Sequence, residues 1–192
     1  MKYRMFLFVM LAVFSLTGAE FCHNFSFEEP DAAITDSGPA KLKGLYHPSA
    51  DRDNDTPETT DPNRYHKPGV AGNALFFTAE YQSYGVIDNS RMTEDIDTLY
   101  LKVYVKSQNS KMQVIVGNKV DSQKNGYALM RRANKWLFQY GDGQKSYRAE
   151  APIKAKTSGW ICLEIYFNRG QVRILENGQE IHHSSFPGKV IA

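Results

Sequence analysis

Tyr100, Lys102, Tyr104 and Lys106 occupy alternate positions of one segment, and Glu164 and Tyr166 do the same in a later one. Phenol rings, ammonium groups and a carboxylate are side chains suited to sugars. An aromatic ring offers an apolar face to sugar C–H groups and a polar tip to hydroxyls. The same types suit proton abstraction from a uronate, with a Tyr as base and a Lys neutralising the sugar carboxylate. Glycoside hydrolysis uses a pair of carboxylates. Glu164 instead has Cys162 and Tyr166 at its flanking alternate positions, so it stands alone in its strand. The plain alternative is that Tyr and Lys coat a solvated sheet face, where such cross-strand pairs are ordinary.

Those residues require strands to align them. In residues 98–106, Leu99, Leu101, Val103 and Val105 alternate with the Tyr and Lys side chains. In residues 161–167, Ile161, Leu163, Ile165 and Phe167 alternate with Cys162, Glu164 and Tyr166. Period-two alternation means one buried and one open face. Asn168-Arg169-Gly170 turns the chain into residues 171–175, and Asn177-Gly178 marks a tight hairpin. Further strands are expected at 23–29, 41–46, 70–77, 81–88 and 112–116. Residues 127–132 and 135–140 are expected to pair around Ala133-Asn134, and 147–155 leads to Trp160. No helix, repeat or heptad is expected outside the first residues. Strands at this spacing predict an all-β, two-sheet antiparallel β-sandwich or a barrel.

The first residues read as a secretory signal peptide, residues 1–19. Lys2 and Arg4 precede an apolar run at 5–16, followed by Thr17-Gly18-Ala19. The run is shorter than the ~20 residues that span a bilayer. Cleavage implies a secreted, extracellular protein (periplasmic if bacterial) with no membrane span, and one domain at 20–192. The formal charge of +2 comes from the leader: loss of Lys2 and Arg4 takes 23 basic residues to 21, against 21 acidic ones. A neutral chain gives no electrostatic footprint for nucleic acid. Cys22 and Cys162 are the two cysteines. In an oxidising compartment they are candidates for a disulfide, the alternative being a buried Cys162 and a free Cys22. Asn24 and Asn54 head N-glycosylation sequons.

Residues 30–72 are poor in apolar residues and read as long loop. Within them Asp51, Asp53 and Asp55 alternate, with Glu58 and Asp61 nearby, an oxygen-ligand set suited to Ca²⁺. It is not an EF-hand, because Thr56 and Pro62 replace the required Gly and Glu. The alternative is a solvated acidic loop. His182-His183 offers weak transition-metal binding or a solvated turn. No phosphate-binding Gly loop or G-x-S-x-G elbow is present.

The order of four segments resembles the concanavalin A-like lectin/glucanase superfamily, most closely its laminin-G-like jelly-roll branch. They are Phe25-Ser26-Phe27-Glu28-Glu29 with Asp36-Ser37-Gly38, Gly69-Val70-Ala71-Gly72-Asn73-Ala74-Leu75-Phe76-Phe77, the strand at 98–106, and Gly159-Trp160 with the strand after it and Glu176-Asn177-Gly178. The resemblance spans nearly the whole mature chain. It implies two curved antiparallel sheets packed face to face, with glycans bound on a sheet face. Glucanases of this kind carry paired carboxylates two or four residues apart, which Glu164 lacks. Relatives continue beyond the Asn-Gly hairpin with closing strands, whereas only 181–192 remain here, as in a fragment or abbreviated variant.

The leading expectation is therefore binding of a polysaccharide or glycoconjugate by Tyr100, Lys102, Tyr104, Glu164 and Tyr166, without catalysis. One alternative is a polysaccharide lyase acting on an acidic glycan. Another is a structural or adhesion module with a protein partner, which predicts an exposed apolar patch elsewhere.

Overall fold

The computed structural model describes residues 7–17, 19–25, 27, 33–37, 41–47, 66–70, 72–77, 84–87, 95–107, 112–119, 123–155 and 159–191. Among them there is no helix and there are fifteen strands. In chain order these are β1 (Leu7–Thr17), β2 (Ala19–Phe25), β3 (Ala33–Thr35), β4 (Lys43–His47), β5 (His66–Pro68), β6 (Asn73–Phe77), β7 (Tyr84–Ile87) and β8 (Thr98–Ser107). There follow β9 (Gln113–Gly117), β10 (Tyr127–Arg132), β11 (Lys135–Gly141), β12 (Ser146–Pro152), β13 (Ile161–Asn168), β14 (Gln171–Glu176) and β15 (Gln179–Ser185).

The largest sheet runs β15-β14-β13-β8-β1-β6-β5, with β2 also paired to β1. A four-stranded sheet runs β12-β11-β10-β9, and a small one β3-β4-β7. Every strand pair is antiparallel. The predicted alternation sets the packing. Leu99, Leu101, Val103 and Val105 of β8 and Ile161, Leu163, Ile165 and Phe167 of β13 are all buried. They face Tyr127, Leu129, Trp136, Phe138 and Tyr140 of the four-stranded sheet in one core. The Phe167 ring meets Tyr140 edge-on at 4.8 Å and Phe138 at 6.1 Å. The chain is thus an all-β sandwich.

Burying a full row of such side chains contributes roughly 1.5–3 kcal/mol each. A one-residue register slip would turn the whole row to water. The turns hold that register. Asn177 (φ 52°) and Gly178 (φ 80°) make the β14–β15 turn in the left-handed region they tolerate. At the β13–β14 turn, Gly170 (φ +86°) comes so close to Phe186 that an added Cβ would lie 1.9 Å from the Phe186 carbonyl oxygen. Only glycine fits there.

Three charged side chains are buried among the described residues, Asp36, Lys119 and Glu176. Glu176, at the end of β14, is 4 % exposed. Its Oε2 accepts the indole N–H of the fully buried Trp136 on the opposite sheet at 2.6 Å. Its Oε1 accepts the amides of Lys154 (3.1 Å) and Ala155 (2.5 Å), just after β12. A buried carboxylate is tolerated when its lone pairs are used in this way. It ties the two layers together at one edge.

The segment read as a leader contributes β1. Leu7–Thr17 pairs with β8 over Leu7↔Ser107 to Phe14↔Tyr100, and with β6 and β2 on its other side. Its apolar, partly β-branched composition suits a strand flanked on both sides.

Candidate functional site

The outward positions of β8 and β13 bring the sugar-suited residues together. The register pairs Tyr100 with Tyr166, Lys102 with Glu164, and Tyr104 with Cys162. The next strand adds Arg173 opposite Tyr166 and Leu175 opposite Glu164. Tyr100, Lys102, Tyr104, Cys162 and Glu164 are half-buried, and Tyr166 is exposed.

Glu164 is the centre of the patch. The Tyr100 hydroxyl donates to its Oε2 at 2.5 Å, and the Tyr166 hydroxyl to the same oxygen at 3.2 Å. The two rings lie 4.6 Å apart, tilted by 32°. Arg173 places its guanidinium carbon 5.5 Å from the Tyr166 centroid while its Nε donates to Glu180 Oε2 at 2.6 Å. Lys102 Nζ lies 5.9 Å from the Tyr104 centroid. Charge thus alternates with aromatic surface across four strands.

The proton positions follow. Burial, then the hydrogen bonds to Glu164 and Tyr166, holds the Tyr100 phenol far above its ordinary value. Tyr100 is therefore a hydroxyl donor at neutral pH. Lys102 is shifted upward, first by Tyr104 and further by Cys162 and Glu164, so it is an ammonium. Burial, then the Glu164 charge, pushes the Cys162 thiol up. A protonated thiol is not a ready nucleophile.

Several expectations lie elsewhere. Asp51, Asp53 and Asp55, the calcium set, fall outside the described residues. Among the described residues no group of three or more His, Cys, Asp or Glu side chains could hold a metal. His182 and His183 are neighbours on β15, paired with Ile174 and Arg173 respectively. Consecutive strand residues point to opposite faces, so the two do not converge on one ion.

The expected Cys22–Cys162 disulfide requires correction. Cys162 is a free thiol. Cys22 pairs with Phe14 on β1, Phe14 with Tyr100 on β8, and β8 with β13, which carries Cys162. Three strand spacings put the two backbones about 14 Å apart or more. A disulfide bridges Cα atoms no more than about 7 Å apart.

Arg173 was not among the expected site residues, although alternation within 171–175 already places it on the outward face. What hides its role is the two-strand reach to Tyr166 and Glu180. Among the described residues no helix is long and apolar enough to cross a membrane. No protein-family model, curated protein or solved structure matches the chain.

Proposed function

We propose that this chain is a secreted, non-enzymatic binding module for a polysaccharide or glycoconjugate, with a laminin-G-like, concanavalin A-like sandwich as its scaffold. The observation that carries the reading is the Glu164 carboxylate held by two tyrosine hydroxyls in the middle of an open sheet face. Buttressing of this kind fixes a polar group before a ligand arrives and lowers the entropy lost on binding. Lys102 and Tyr104 extend the face along β8, and Arg173 extends it across β14.

The lyase alternative needs a tyrosine that gives up its proton. Tyr100 holds its proton tightly and donates it to Glu164, which weighs against it as a base. The adhesion alternative draws on Met112 and Val114, 55 % and 52 % exposed at the outer strand of the four-stranded sheet.

The test is affinity electrophoresis and calorimetry against neutral and uronate polysaccharides, with ultraviolet absorbance followed in the same samples. Binding without an unsaturated product, lost in Tyr166→Ala, is expected. Product from a uronate polymer would replace this reading with the lyase. Silence in both channels would replace it with the protein-partner reading.

A further inference from the structure

The patch has a donor and an acceptor left over, side by side. Lys102 and Glu164 are directly opposed in the β8–β13 register. Directly opposed side chains on one face have Cβ atoms about 4.5–5.5 Å apart. Both tyrosine hydroxyls use Glu164 Oε2, and among the described residues Oε1 has no hydrogen-bond partner. Lys102 lies against the Tyr104 ring, and its ammonium likewise makes no hydrogen bond or salt bridge there. A carboxylate oxygen accepts only, and an ammonium donates only.

A vicinal diol complements this pair. One hydroxyl donates to Glu164 Oε1, and its neighbour accepts from Lys102 Nζ. The flanking Tyr100 and Tyr104 rings take the adjacent C–H surface. A uronate or sulfated sugar fits poorly, because its anion would approach the fixed Glu164 charge. Of the other cations of the face, Arg173 is already paired with Glu180, and Lys106 lies two pairs of residues along β8 from Lys102. Like charges brought together in a partly desolvated site oppose binding strongly enough to decide specificity.

We infer that the ligand is a neutral glycan with a free vicinal diol, gripped between Lys102 Nζ and Glu164 Oε1, rather than an acidic glycan. This inference rests on the glycan-binding reading above and narrows it.

Three soluble probes separate the terms: a β-1,4-linked glucomannan, whose C2 and C3 hydroxyls are free and adjacent; a β-1,3-glucan, whose internal residues have no adjacent pair; and polygalacturonate, which has the diol and a carboxylate. Calorimetry on the full chain is expected to give at least tenfold tighter binding to glucomannan than to either of the others. Glu164→Gln should weaken glucomannan binding about tenfold and narrow its preference over polygalacturonate, because the repulsion goes with the charge. Lys102→Met should weaken glucomannan binding while keeping that preference. Unchanged thermal melting of both variants ties these effects to the site. Equal affinity for the β-1,3-glucan, or tighter binding of polygalacturonate, overturns the diol inference. If Tyr166→Ala still abolishes that binding, the glycan-binding reading stands without it. Absence of binding to all three probes overturns both.

Discussion

Replacing Glu176 by Ala removes the acceptor for three N–H groups at once, and the cost can be worked from their surroundings. Trp136 is fully buried, so its indole N–H is left without any partner. An unsatisfied buried donor costs about 1–3 kcal/mol. The amides of Lys154 and Ala155 lie nearer the surface, where water replaces much of the lost bonding. They add about 1 kcal/mol together. The sum is about 2–4 kcal/mol, a large share of the roughly 5–15 kcal/mol that holds an ordinary domain. Glu176→Gln keeps one oxygen but turns an NH₂ group towards a donor, so it should cost less, about 1–2 kcal/mol. Urea unfolding followed by tryptophan fluorescence and far-ultraviolet circular dichroism measures both. A cycle with Trp136→Phe should show coupling of about 1 kcal/mol or more, because the partners touch. If Glu176→Ala costs under about 1 kcal/mol, or the cycle is additive to within about 0.5 kcal/mol, the inter-sheet tie does not exist as described.

The other predictions concern pH, backbone and redox state. Burial pushes the Tyr127 phenol up to about 12, above an unfolded value near 10. The native state therefore keeps a proton that the unfolded chain releases. This contribution is intact below pH ~10 and lost as pH rises towards ~12, at up to about 1.4 kcal/mol per pH unit. Tyr127→Phe should flatten that part of the stability profile, and an unchanged slope would refute the assignment. Gly170→Ala combines a left-handed backbone with a clash against the Phe186 carbonyl oxygen. It should cost about 3 kcal/mol or more in urea unfolding, and a neutral result would mean the turn is built differently. With Cys162 free, reductant should leave the melting temperature unchanged. A fall of about 5 °C or more would reveal a bridge.

Where a segment carried two independent signals, the sequence showed its structure. Residues 161–167 alternate cleanly and end at a Gly turn, and they form β13 with the expected face buried. The pair around Ala133-Asn134 formed as β10 and β11, because Ala133 turns at φ 53° between two apolar runs. Residues 41–46, 81–88 and 112–116 were placed to within a few residues as β4, β7 and β9. β15 is marked in the sequence only by the Asn177-Gly178 hairpin before it, because its own residues, Gln179 to Ser185, are mostly polar and carry no alternation. The five expected ligand-face residues came together because a shared parity on two paired strands is readable from the sequence. Two facts were not readable. Glu176 meets Trp136, forty positions away in the chain, only once the sheets stack. The cysteines are kept apart by strand order, which composition does not encode.

The pairing of Leu7 with Ser107 has a consequence in time. The first strand cannot close its ladder with β8 until about a hundred further residues have been made. At synthesis rates of about 5–20 residues per second, that delay is roughly 5–20 s. Long-range closure of this kind is also intrinsically slow. For that interval the apolar first strand lacks its main sheet partner. An apolar segment that waits this long for its partner strand is open to association with other chains.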